Sequence, residues 1–152
     1  MGKSHIKIYS ERTIIYSPIV TNKLTKGNVH AAILLSQMLF RANFRNPFYK
    51  FRTPPTEKVN ETLAEYKKRV KPYIIGDSWT EELQISPRKF DTALKIIAHK
   101  KNEIIKDDDS PIKTLITYKT DIYHKTWYEL DLDGIDAIFE QVYKTNLNYE
   151  DQ

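Results

Sequence analysis

The chain has 152 residues, 40% hydrophobic and 29% charged, with no cysteine. That describes one ordinary globular domain and excludes disulfides and thiolate metal sites. The net charge of +4 is uneven: residues 1–128 hold 23 Lys/Arg and 13 Asp/Glu (+10), residues 129–152 one Lys and seven acids (−6). A basic body with an acidic end suits a polyanion ligand, and ordinary surface charge scatter explains it equally well. The opening MGKSHIKIYSERT has no apolar core of signal-peptide length, and the apolar run Ala31–Phe40 is too short to span a bilayer. A cytoplasmic protein without membrane contact is expected.

A short strand is predicted over Thr13–Tyr16, where β-branched and aromatic residues precede Pro18, which cannot donate to a ladder. Asn28 then caps a helix, VHAAILLSQMLFRANF. Its apolar positions, among them Val29, Ala32, Ile33, Leu35, Leu39 and Phe40, cover nearly the whole circumference, as in a helix at the centre of a fold. Ser36 and Gln37 read as a partly polar face. His30 has no partner His at metal-ligand spacing and reads as a surface or satisfied histidine. The next segment, RANFRNPFYKFRTPP, has no acid and interleaves Arg41, Arg45, Lys50 and Arg52 with Phe44, Phe48, Tyr49 and Phe51. Such alternation can serve single-stranded nucleic acid. The preferred reading is structural: a connection, not an element, with rings plugged into the core and charges facing water.

Thr56 opens a further predicted helix with Val59, Leu63, Tyr66 and Val70 as a narrow apolar stripe. Its glutamates come early and its Lys/Arg late, which complements the helix dipole, and Glu65 and Arg69 are i,i+4 partners. Its basic cluster therefore has a sufficient structural explanation.

The stretch Asp77–Lys101, DSWTEELQISPRKFDTALKIIAHKK, reads as two helices around a tight turn. Ser78 and Glu81 form a capping box ahead of Leu83 and Ile85, and Ser86 caps the second helix with Pro87 at its first position. Phe90, Ala93, Leu94 and Ile97 mark the buried stripe; Arg88, Lys89, Thr92, Lys95 and His99 form the outer face. That is the layout of a helix-turn-helix with a recognition helix.

Beyond it, Glu103–Lys106 is a brief strand candidate. Asp107–Asp109, with no histidine or further acid at a fixed offset, read as a hydrated turn and not a metal site. KTLITYKT and HKTWYELDL, joined by DIY, predict a hairpin with its tip at Thr120–Lys125. This is a wing, with Lys119, His124 and Lys125 as candidate backbone contacts and one of Trp127 and Tyr128 in the core. A helix over 133–146, capped by Asp133, presents Ile135, Ile138, Phe139 and Val142. It folds back on the domain or pairs with a second copy, and a frayed tail over 147–152 follows.

The expected fold is therefore α+β and mostly helical: a winged helix-turn-helix with a C-terminal β-wing and extra helices. It forms a single domain over 1–152, with its core at 7–132 and an insertion at 45–76. The segments ERTIIYSPIV, AAILLSQMLF, GDSWTEELQISPRKFDTALKII and HKTWYELD, in this order, carry a family pattern. Across Glu11–Leu132 the chain resembles winged-helix DNA-binding proteins of phages, plasmids and integrated mobile elements. These include the N-terminal module of phage replisome organisers and DnaD-like primosome proteins. The resemblance implies DNA binding in replication initiation or transcriptional control.

On this reading the helix from Pro87 enters the major groove of double-stranded DNA. Thr92 and Lys95 face base edges, Arg88 and Lys89 reach bases or phosphates, and Lys119, His124 and Lys125 grip the flanking backbone. The alternative is a protein–protein interaction or dimerisation module of a replication complex without direct base readout. A homodimer and replication proteins of the host or element are the further partners considered. No enzyme, cofactor or metal is expected: four glycines leave little room for a phosphate loop, and the four histidines are scattered.

Overall fold

The computed structural model describes residues 23–56, 60–71, 73–122 and 125–150, with side chains to residue 144. The strand expected over Thr13–Tyr16 and His124, expected as a wing contact, lie outside them. The elements run α1 (Val29–Phe44), β1 (Phe48–Tyr49), α2 (Leu63–Val70), α3 (Trp79–Leu83) and α4 (Pro87–Ile97). They continue with β2 (His99–Lys100), a 3₁₀ turn (Pro111–Leu115), β3 (Ile116–Thr120), β4 (Thr126–Leu130) and α5 (Leu132–Glu150). The four strands form one mixed sheet in the order β1-β4-β3-β2, with β2 parallel to β3 and the other pairs antiparallel. The fold is α+β.

α1 is the central helix. Asn28 Oδ1 accepts the Ala31 amide at 2.9 Å, and Ala31, Ala32, Leu34, Leu35, Met38, Leu39 and Ala42 are buried. Ser36 and Gln37 are buried too, not part of a polar face, and the Ser36 hydroxyl returns to Ala32 O at 3.1 Å. The bare face holds Val29 and Phe44 instead. α4 lies against α1 through Phe90, Ala93, Leu94 and Ile97, as the spacing predicts.

Trp79 sits at the centre with no exposed surface. Its ring stacks on Phe90 (6.0 Å between centroids) and meets Phe48 and Tyr128 edge-on at 6.3 and 5.9 Å. Phe48 and Tyr128 are cross-strand partners stacked at 5.5 Å, so helix and sheet share one aromatic cluster. Of the pair at the end of the hairpin, Tyr128 is the core residue.

Several boundaries differ from expectation. The segment after α1 is not only a connection: β1 joins the sheet, and Asn46 clamps it by donating to Leu130 O (2.7 Å) and accepting from Leu130 N (3.1 Å). The helix expected from Thr56 begins at Leu63, because the Thr62 hydroxyl accepts the Glu65 amide. None of its residues is buried, and Arg69 pairs with Glu61 (2.8 Å) and not with Glu65. The strand expected at Glu103–Lys106 does not form. The chain pairs with β3 directly on leaving α4, at His99–Lys100, then turns at Asn102 with φ 75°. α5 is capped two residues earlier than Asp133, by Asp131, whose carboxylate accepts the Gly134 amide at 3.0 Å. A side chain at Gly134 would lie 2.7 Å from that same carboxylate. α5 folds back on the domain through buried Ile135 and Phe139 and extends to Glu150, past the expected fraying point.

Charges are woven into this frame. Lys50 is not a solvated loop lysine. Its side chain is 2% exposed, and Nζ binds Asp77 Oδ1 (2.9 Å), Asp77 O (2.6 Å) and Glu82 while lying 5.0 Å from the Trp79 ring centroid. Arg41 binds the same two carboxylates at 3.0 and 2.8 Å. Burial alone would raise the Asp77 carboxyl, but Lys50 and Arg41 outweigh it and hold Asp77 below its ordinary value. Other carboxyls are lowered as well: Glu81 by the Tyr73 hydroxyl, Asp91 by Arg52, Glu103 by the Lys100 amide and Asp109 by the Lys106 amide.

A lowered folded-state value means the group stabilises the fold above its unfolded value, 3.8 for Asp and 4.5 for Glu. That contribution is lost as the pH falls through the lower folded value. Acid unfolding is therefore expected to set in below about pH 4. A melting temperature by circular dichroism that stays level down to about pH 2.5 would contradict it.

Candidate nucleic-acid interface

The helix-turn-helix is built as its caps require. The Ser78 hydroxyl and the Glu81 carboxylate form the reciprocal capping box of α3. Gln84 ends α3 in the left-handed conformation (φ 56°), a turn more often given to glycine; its backbone amide donates to Thr80 O and its side-chain Nε2 to Glu81 O at 2.7 Å. Ser86 then accepts the Lys89 amide at 3.2 Å, and Pro87 occupies the first position of α4.

With Phe90, Ala93, Leu94 and Ile97 inward, α4 leaves Arg88, Lys89, Thr92 and Lys95 exposed. Among the described residues no carboxylate lies in ion-pair range of the Arg88, Lys89 or Lys95 heads. The Thr92 hydroxyl is turned back on the helix, donating to Arg88 O at 3.1 Å. Asp91, the one acid on α4, is claimed by Arg52 in a bidentate pair, Nε–Oδ1 and Nη2–Oδ2 both 2.7 Å. The outer face of α4 therefore carries three cations, and its one carboxylate is neutralised by a fourth, Arg52.

His99 does not share that face. It is the first residue of β2 and half-buried, and its Nδ1 lies 2.6 Å from Lys113 O. A carbonyl only accepts, so Nδ1 carries the proton and the ring is held by the 3₁₀ turn. Its place just after Ile97 had put it on the helix by spacing; the chain has already left the helix there.

The hairpin pairs Ile116–Thr120 with Thr126–Leu130 in regular register. Asp121 closes the tip: its carboxylate accepts the Lys125 amide at 3.0 Å and Trp127 Nε1 at 2.9 Å. Lys119 is exposed, whereas Lys125 is half-buried, with Nζ 4.9 Å from the Tyr49 ring centroid. Lys125 thus leans toward β1.

The chain matches no family model, no curated protein and no solved structure with which it was compared. Among the described residues no group of three or more His, Asp or Glu could hold a metal ion, and no helix is long and apolar enough to cross a membrane. In the DDDSP segment Asp109 closes a turn, accepting the Lys106 amide at 2.7 Å.

Sequence reading missed Arg52, whose pairing with Asp91 reaches 39 residues along the chain. The period-two run Phe48-Tyr49-Lys50-Phe51-Arg52 was the available signal, since in an extended segment Phe48 and Lys50 face the core while Arg52 continues the line beyond it.

Proposed function

We propose that the chain is a winged-helix module, and not an enzyme, that binds double-stranded DNA with α4 in the major groove and the β3–β4 hairpin as its wing. The carrying observation is the division of α4 into a wholly apolar face fixed on α1 and Trp79 and an exposed face of Arg88, Lys89, Thr92 and Lys95. An 11-residue helix is about 16 Å long, and a major groove about 12 Å wide admits it. The Arg52–Asp91 pair supports the reading, because it removes the one charge on α4 that would repel phosphate. Thr92 and Lys95 then face base edges, Arg88 and Lys89 reach bases or phosphates, and Lys119 meets the flanking backbone. His124 and Lys125 sit at or beside the wing tip in sequence. Replication initiation or transcriptional control in a phage, plasmid or mobile element is the setting the sequence resemblance suggests.

Selecting bound duplexes from a random pool supplies the target. On it, Arg88→Ala with Lys95→Ala is expected to weaken binding tenfold or more at fixed salt, since each lost base or phosphate contact costs about 1–3 kcal/mol. The melting temperature is expected to hold, both side chains being exposed. An unchanged affinity in fluorescence anisotropy would overturn the role of α4.

A further inference from the structure

The outer face of the sheet, turned away from α1 and α4, carries an arrangement of which duplex binding through α4 uses only the wing lysines. Tyr49, Trp127 and Lys119 are successive partners across β1, β4 and β3. Side chains alternate along a strand, and Phe48, Tyr118 and Tyr128 form the inward ring contacts, so these three point outward. Lys101, whose amide donates to Tyr118 O, lines the same hollow of about 610 Å³ as Trp127 and Lys119. The face thus runs from two rings to two lysines.

The rings meet edge to face, centroids 4.9 Å apart. The Arg45 guanidinium lies 6.0 Å from the Trp127 centroid, and Lys125 Nζ caps Tyr49. A second groove, about 380 Å³, leads from Tyr49 and Arg45 to Phe44, whose ring is 72% exposed. Two carboxylates share the sheet face: Asp121, held by Trp127 Nε1 and the Lys125 amide, and exposed Glu129. Against them stand Arg45, Lys101, Lys119 and Lys125, so the face is positive by two charges.

We propose that this face binds a single strand of nucleic acid. Bases stack on Trp127, Tyr49 and Phe44, and the phosphates meet Arg45, Lys119 and Lys101. Rings bordered by cations, here exposed Phe44 and half-buried Tyr49 and Trp127, are what an unpaired strand needs, because each base offers a π-face and each linkage a negative charge. A duplex offers no free base faces to these rings. A protein partner is disfavoured by the positive charge and by the predominance of rings and lysines over aliphatic side chains along this row. An exposed cation–π contact is weaker than a base–ring stack, so an incoming base takes the ring and the displaced cation takes its phosphate.

Trp127 is its own reporter, since the other tryptophan, Trp79, is fully buried. Titrating the full chain with oligothymidylate of about 12 nucleotides at low salt is expected to quench tryptophan emission, with affinity falling as salt rises. Phe44→Ala and Tyr49→Leu are each expected to weaken binding roughly tenfold, and Arg45→Ala to flatten the salt dependence by nearly one counterion. Phe44→Ala alters an exposed ring, so it carries the test if Tyr49→Leu folds poorly. The inference stands apart from α4: Arg88→Ala with Lys95→Ala is expected to leave oligothymidylate binding intact. No quenching and no binding at low salt would overturn it. So would binding indifferent to Phe44→Ala, binding lost with the α4 variant, or a second copy seated on this face that oligothymidylate does not displace.

Discussion

Trp79→Ala is expected to cost about 3–5 kcal/mol, the range for deleting a large aromatic from a packed core. The ring has no exposed surface and contacts Phe90 of α4, Phe48 of β1 and Tyr128 of β4. It is a side chain on which α4, β1 and β4 converge, and the cavity cannot close without moving all three. Single domains hold about 5–15 kcal/mol in total, so the variant loses a large fraction of its stability. At this chain length the melting temperature should fall by roughly 10 °C or more. Urea denaturation followed by circular dichroism gives the free energy directly. A loss below about 1 kcal/mol would mean Trp79 does not hold the layers together. Phe44→Ala, which removes an equally apolar but 72% exposed ring, is the matched control.

Asp77→Asn combined with Glu82→Gln is expected to destabilise by a similar amount through a different cause. Lys50 has almost no contact with water, and these two carboxylates are its counter-charges. Neutralising both strands a buried ammonium beside Arg41, and breaking buried pairs in this one-sided way typically costs about 3–5 kcal/mol. Lys50→Met should cost far less. It removes the buried charge itself, fills the space beside Trp79, and leaves the carboxylates, which are 38% and 21% exposed, paired with Arg41. The diagnostic is the ordering of the two variants in urea denaturation. If Lys50→Met proves the more damaging, the quartet is a source of stability and not merely a buried charge kept satisfied.

The helix-turn-helix segment was legible because its signals are local. Capping boxes, a proline at the first helical position and a 3.6-residue stripe all act within one or two turns, and Ser78, Glu81, Ser86, Pro87 and the Phe90–Ile97 stripe stand where they indicate. The hairpin was legible for the same reason. What escaped reading depends on distant partners. Lys50 looks like surface until Asp77 and Glu82 arrive, and Arg52 looks like one more loop cation until Asp91 meets it. The two-residue strands β1 and β2 are too short to show a period at all. His99 was misplaced because α4 ends at Ile97, capped by Ala98, whose amide still closes on Leu94. Its helical spacing from Lys95 carried no information about where the helix stops.

The Asn46 clamp on Leu130 has a consequence for how the molecule comes into being. It joins residues 84 apart, and Phe48 reaches its stacking partner Tyr128 across a comparable span. Closing so large a loop costs entropy before any contact rewards it, and such long-range pairings slow folding. α3 and α4, whose caps and turn are all local, can take shape early, while the ring cluster around Trp79 waits for β4. During synthesis from the N-terminus, the apolar face of the helix-turn-helix is thus made before the sheet that completes its cover. The acidic segment after residue 128 emerges later than the sheet's first three strands, and α5 covers the core with Ile135 and Phe139.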